Sequence, residues 1–238
     1  MTALNLPPLF DSRASEGADP FALACNHAQT GCDAGLVVYD LRPDRLRAAI
    51  VFAPEVPLRN ACIMLPICSI GFQNALGALA PPEVGVHLEW NGNIRINGAI
   101  AGSLRIAATP QAPDAEPDWL VIGLDLALWP AEEETGLTPD VTALFAEGCA
   151  DVGAPDLLEA WVRHTLVWTH RWLEDGPRPV HTEWSGLAHG LKEQITLGPH
   201  QGVFMGVDED FGMILQCDDS TTIIPLTDIL TDTPTEAS

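Results

Sequence analysis

Apolar and polar positions fall into blocks along this chain, and the period of the blocks changes from one region to the next. Asp19 before Pro20 predicts a capped helix through FALACNHAQT. Gly35–Leu41 (GLVVYDL) and Arg47–Ala53 (RAAIVFA) are apolar, β-branched runs that predict strands, joined by the short basic connector RPDRL. Arg59–Leu79 predicts a long, mostly apolar helix, kinked at Pro66 and ended by Pro81-Pro82. Val84–Trp90, Asn93–Asn97 and Ala99–Ala107 predict consecutive strands. Asn91-Gly92 and Asn97-Gly98 supply the positive-φ residues of tight turns between them. Trp119–Leu128 (WLVIGLDLAL) predicts a buried strand.

Asp140–Gly148 and Pro155–Asp175 predict helices. In the second, Leu158, Trp161, Leu166, Trp168 and Trp172 fall roughly on one side and read as a core-facing stripe. The pattern then changes. Glu193–Leu197, Gly202–Val207, Gly212–Gln216 and Thr221–Pro225 predict short strands, with Asp208-Glu209-Asp210 turning one hairpin. They suit a small β-barrel of about 45 residues. Hairpins first, then helices, then an all-β end favour α+β over a doubly wound α/β fold. The expected division is a main domain over 1–190, a small β-barrel over 191–230 and a flexible tail over 231–238.

Composition narrows the classes. The 238 residues are 47% hydrophobic and only 18% charged, enough apolar surface for a substantial core. The charge is lopsided: 33 acidic residues against 11 basic, a net charge of −22. Phosphate contacts need clustered Lys and Arg, so nucleic acid and anionic membranes are poor partners. The acidity reads as a solubilising surface or as attraction for a basic partner. The one lysine, Lys192, leaves the first 191 residues without a catalytic amine. The six cysteines form no CxxC pair, and no secretory signal or membrane-spanning run is expected, which points to the cytoplasm.

Common catalytic motifs such as GxSxG, HExxH and GxxxxGK[ST] do not occur. The seven histidines show no metal-ligand spacing, and His164 and His170 fall on different helix faces. The acidic triplets Glu132–Glu134 and Asp208–Asp210 read as solvated loops rather than cation sites. The informative stretch is Leu88–Ile106, LEWNGNIRINGAIAGSLRI.

Glu89-Trp90-Asn91-Gly92-Asn93 followed by Ile100-Ala101-Gly102-Ser103-Leu104 resembles the biotin protein ligase signature, roughly K-W-P-N-D followed by K-[VIL]-[AC]-G-x-L. Four further segments agree in order. Pro57–Leu79 resembles the family's helix after a LPL-type segment. Val121–Leu128 resembles its V-I-G-I-G-I-N-V strand. Pro155–Leu191 resembles its helical stretch ending at x-x-E-W, here Glu183-Trp184. Gly206-Val207-Asp208-Glu209 with Gly212 resembles the G-x-D-x-x-G turn of its C-terminal barrel. The resemblance implies the fold shared by biotin and lipoate ligases and class II aminoacyl-tRNA synthetases: a mixed sheet flanked by helices, plus an SH3-like β-barrel.

An active member joins biotin or lipoate to ATP, with Mg²⁺, and passes the acyl group to a lysine of a carrier protein. Two anions must meet, so the site needs fixed positive charge. The departures fall on those needs. The lysine before [VIL]-[AC]-G becomes Ala99, the aspartate of the first motif becomes Asn93, and its Pro-Asn becomes Asn91-Gly92. Asp125 replaces a strand glycine, and Ala127 the strand asparagine. The Gly/Arg-rich loop shrinks to LRPDRLR, leaving Arg42, Arg45 and Arg47 as phosphate or carboxylate ligands or as solvated arginines. Trp90 reads equally as a buried sheet residue or a ligand-stacking one. The ligand-binding candidates are therefore Arg42, Arg45, Arg47, Trp90, Asn91, Gly92, Asn93, Ala99, Gly102 and Asp125, with no catalytic residue and no metal ligand among them. Three readings stand: a degenerate or repurposed relative binding a small ligand, an atypical active ligase in which Arg42, Arg45, Arg47 or Arg95 covers the losses, and an interaction module. Pairing of two copies through a sheet edge is a further expectation of the family.

Overall fold

A computed structural model describes residues 4–130, 139–217 and 220–232. Seven strands make the main sheet: β1 (Asp11–Ala14), β2 (Leu36–Leu41), β3 (Arg45–Phe52), β4 (Val86–Leu88), β5 (Asn93–Ile96), β6 (Ala99–Thr109) and β7 (Trp119–Ala127). Their order is β1-β2-β3-β7-β6-β5-β4. β1 runs parallel to β2, and the other pairs are antiparallel. The short polar β1 carries no strand pattern of its own; its ladder to β2 makes it a strand. Asn97 and Gly98 adopt φ of 50° and 99°, the tight β5–β6 turn their sequence predicts.

Helices cover the sheet unequally. On one face lie α2 (Leu58–Ala61), α3 (Met64–Leu79), α4 (Ala154–Asp175) and α5 (Arg178–Leu187). On the other lies α1 (Pro20–Gln29), whose Phe21 packs over Gly123 of β7. α3 is apolar almost all round because it is enclosed by neighbours. Gly71 lets it touch α4: a Cβ there would lie 2.7 Å from Thr165 Oγ1. The tryptophan stripe of α4 is core, as expected. Trp161 Nε1 donates to the Cys68 carbonyl at 3.0 Å and Trp168 Nε1 to Asn74 Oδ1 at 2.9 Å. Leu166 and Trp172 lie at its half-buried margin.

Several expectations need correction. The 58–79 helix breaks at Cys62-Ile63, not at Pro66. A proline ring clashes with the carbonyl four residues earlier, so Pro66 sits in the first turn of a new helix. That stretch has the length and mean hydropathy (1.6) of a membrane span, contrary to expectation, yet 72% of it is buried inside the protein as a core helix. Asp140–Gly148 holds only one 3-10 turn, Leu144–Glu147, closed by Gly148 at φ 83°. Asp19 starts α1 without capping it; its carboxylate instead takes both bonds from Arg105, at 2.7 and 2.9 Å.

The C-terminal strands β8 (Gln194–Leu197), β9 (His200–Val207), β10 (Met213–Cys217) and β11 (Ser220–Ile224) form an antiparallel sheet in the order β11-β10-β9-β8. The acidic turn between β9 and β10 is closed by Asp208 Oδ1, which accepts the N–H groups of Asp210 and Gly212 at 3.0 and 2.7 Å. Thr231, placed in the expected tail, is instead tied down: its N–H donates to the Ile106 carbonyl at 2.8 Å. The rest of that tail from 233 onward, and the Glu132–Glu134 triplet, lie outside the described residues.

Candidate functional site

On the face of the sheet that bears α1, the helix packs around Gly123 of β7. Directly opposed residues of an antiparallel ladder project to the same side. The registers Asp40↔Arg47, Arg47↔Asp125, Asp125↔Ser103 and Ser103↔Asn93 therefore lay one polar row across five strands. This row lies two residues along the strands from the row of Gly123, which Phe21 covers. Its neighbours on the opposite face, Leu46, Leu124, Leu126 and Leu104, are core.

The row is internally paired. Arg45 Nε donates to Asp125 Oδ1 at 2.5 Å, and Arg47 Nη2 donates to Asp40 Oδ2. Arg42 Nε reaches the same Asp40 oxygen at 2.9 Å. Three guanidinium groups thus share two carboxylates. The bond from Asp125 raises the Arg45 pKa above its ordinary value. Arg47 keeps one unsatisfied donor, its buried Nε. The three arginines left open between ligand contacts and solvent each end on a carboxylate. Arg45 and Arg47 join Asn93 and Asp125, whereas Arg42 at the β2–β3 turn lines a separate cavity of about 400 Å³ beside the stacked rings of Trp129 and Phe145.

The first motif is rebuilt as a second pair. Glu89 accepts from Arg95 Nε and, at 2.7 Å, from Asn93 Nδ2, while Arg95 Nη1 donates to the Gly98 carbonyl at 2.6 Å. Arg95, a candidate to cover the lost cations, is taken by Glu89, and Glu89 stands where the signature has a lysine, a charge reversal legible in the sequence. Both line a cavity of about 310 Å³ between this turn and the C-terminal sheet, with Asn91, His189, Glu193 and Phe204.

Trp90 is 5% exposed, and its Nε1 donates to the Phe211 carbonyl at 2.7 Å, so its polar handle is spent inside the protein. Gly92 adopts φ 94°, and a Cβ there would sit 2.3 Å from the Leu104 carbonyl oxygen. Gly102 allows β6 to approach β7: its Cβ would lie 2.3 Å from the Asp125 carbonyl oxygen. Ala99 opens β6 opposite Ile96, next to the turn, and lies outside the polar row. Lys192 does not line the 310 Å³ cavity.

These residues do not fit a triphosphate. Arg42, Arg45, Arg47 and Arg95 are each committed to a carboxylate. Among the described residues, no three His, Cys, Asp or Glu side chains converge to hold a metal ion.

Comparison with known proteins agrees with this geometry. The model of the biotin/lipoate A/B protein ligase family matches residues 6–186, and a domain of unknown function (DUF4444) matches 191–232. The chain belongs to the biotin/lipoate A/B protein ligase family. It is 60% identical to a biotin protein ligase-like protein of unknown function from Silicibacter sp. TM1040, covering 97% of this chain and 100% of that one, with a TM-score of 0.92. Biotin protein ligase from Aquifex aeolicus shares the fold at 13% identity, 90% and 92% coverage and a TM-score of 0.71. The Leishmania major enzyme, solved in complex with biotin, does so at 13% identity, 92% and 98% coverage and a TM-score of 0.57. No curated protein matches the sequence.

Proposed function

We propose that this protein is a degenerate member of its family that keeps the sheet-face cleft, binds a small acyl ligand there and does not adenylate it. The observation that carries this is the state of its cations. Each guanidinium group on and beside this face already has a carboxylate partner: Arg45 has Asp125, Arg95 has Glu89, and Arg42 and Arg47 share Asp40. The two signature lysines are a glutamate and an alanine. Adenylation brings a carboxylate to a polyphosphate, and a preorganised donor lost from such a site typically costs about 10²–10³ in rate. Several losses together leave no route at a useful rate.

Residues 1–190 would then hold the ligand, with 191–230 as an appended β unit closing the 310 Å³ cavity. Relatives solved with biotin and ATP make acyl and nucleotide ligands the natural panel. The free thiols of the chain support a reducing, cytoplasmic setting.

The test is isotope exchange between pyrophosphate and ATP with biotin, lipoate or octanoate. The expected outcome is no exchange above the protein-free rate with any acid. Exchange with one of them would overturn the reading. In parallel, a thermal-shift panel of acyl compounds should show a saturable rise in melting temperature.

A further inference from the structure

We propose that the cavity of about 310 Å³ between the motif turn and the C-terminal sheet is a second binding site, built for a small primary amine with an apolar body. It is independent of the acyl-ligand reading above, because Arg47, Asp125 and Ser103 of the polar row do not line it. Its volume falls at the lower end of the range for small-molecule sites, about 300–1,000 Å³. Charge sets the class of ligand. Two carboxylates, Glu89 and Glu193, line the cavity against one guanidinium, Arg95, with His189 counted neutral. Glu89 and Arg95 cancel at contact: Arg95 Nε donates to Glu89 Oε1, and its Nη1 to the Gly98 carbonyl at 2.6 Å. The other Glu89 oxygen accepts from Asn93 Nδ2 at 2.7 Å. Glu193 is the remainder.

Among the described residues, the Glu193 carboxylate has neither a hydrogen bond nor an ion pair. Its backbone is nevertheless fixed. The Glu193 N–H donates to the Gly190 carbonyl at 3.0 Å, and its carbonyl accepts the Phe204 N–H at 3.0 Å. The adjoining His189 N–H donates to the Leu88 carbonyl of β4 at 2.8 Å. The carboxylate is therefore carried on a strut between the two sheets rather than on a free loop. The rest of the wall is largely apolar: Phe204 is buried, and Ile195 and Leu197 are half-buried. An alkyl chain is sheltered against them. An ammonium group brings three N–H donors to Glu193 and to the neighbouring Thr196 hydroxyl, which also lines the cavity. A ligand acid meets an unbalanced carboxylate instead, and an alcohol gains no ion pair. The net charge of −22 on the chain favours the approach of a cation as well.

The experiment is an NMR titration of the ¹⁵N-labelled full chain at low salt with hexylamine, hexanol and hexanoate, which share one tail and differ in charge. Hexylamine should shift the amides of Ile195 and Phe204 saturably and bind there about fivefold more tightly than hexanol. Hexanoate should not shift these two amides. Glu193→Gln removes the charge from a side chain with no partner to lose, so the fold should stand. It should weaken hexylamine about fivefold and leave hexanol within about twofold. Glu193→Lys, the second variant, should abolish the preference for the amine. Hexanol or hexanoate binding at Ile195 and Phe204 as tightly as hexylamine overturns the inference. So does an unchanged hexylamine affinity in Glu193→Gln, or no saturable shift with hexylamine in wild type. Each of these results leaves the acyl-ligand reading intact, because that reading is decided by pyrophosphate exchange and by ligands of the other face.

Discussion

Replacing Trp90 by Phe separates a structural tryptophan from a ligand-stacking one. The indole is 5% exposed, and its Nε1 donates to the Phe211 carbonyl at 2.7 Å. Phe211 is a non-glycine residue at φ 62°, in the turn between β9 and β10, with its ring edge-on to Trp184 at 6.2 Å. The bond therefore clasps the motif turn of the main sheet to the C-terminal sheet. Phenylalanine keeps the apolar bulk but removes the donor and leaves a buried carbonyl unpaired, which costs about 1–3 kcal/mol. For a chain of this size each kcal/mol lowers the melting temperature by roughly 2–4 °C, so the drop should be about 2–12 °C. Differential scanning calorimetry of the two proteins without ligand measures it. A variant melting within about 1 °C of wild type, well below that range, would refute the clasp and return Trp90 to the list of ligand contacts.

Gly102→Ala should destabilise by more than about 2 kcal/mol, read from urea unfolding, because its Cβ would meet the Asp125 carbonyl oxygen at 2.3 Å and backbone on both sides has no room to yield. Thiol reactivity should divide the cysteines. Burial pushes Cys25 and Cys62 up to about 12, and Cys68 higher still, so these stay protonated and unreactive toward a disulfide reagent at pH 8. The half-exposed Cys217 should react first, and rapid labelling of Cys62 in the native protein would contradict the packing of the 58–79 segment.

Much of this molecule was legible in its sequence, for a local reason. A strand such as β7 or β3 is a run of β-branched and apolar residues whose period matches its environment, and a turn such as Asn97-Gly98 carries its own positive φ. Five segments in the right order were enough to reach the family. What failed were features set by distant partners. β1 is a strand only because β2 offers it a ladder. Asp19 looks like a helix cap until Arg105, 86 residues away, takes both its oxygens. Cys62-Ile63 breaks because the ring of Pro66 bears back on the preceding turn.

The candidate site shows the same division. By itself the sequence determined the residue types: which lysines of the signature are gone, where an aspartate and a glutamate have entered, and that arginines survive around the shortened loop. Only the tertiary structure decided what those charges do. Arg47, Asp125, Ser103 and Asn93 are scattered over some eighty positions and become one row through strand register. The three arginines of the loop could face a ligand, solvent or acid, and the fold gives them Asp40 and Asp125. Charge is a property of a residue, but whether it is available to a ligand depends on the nearest opposite charge, which chain order does not encode.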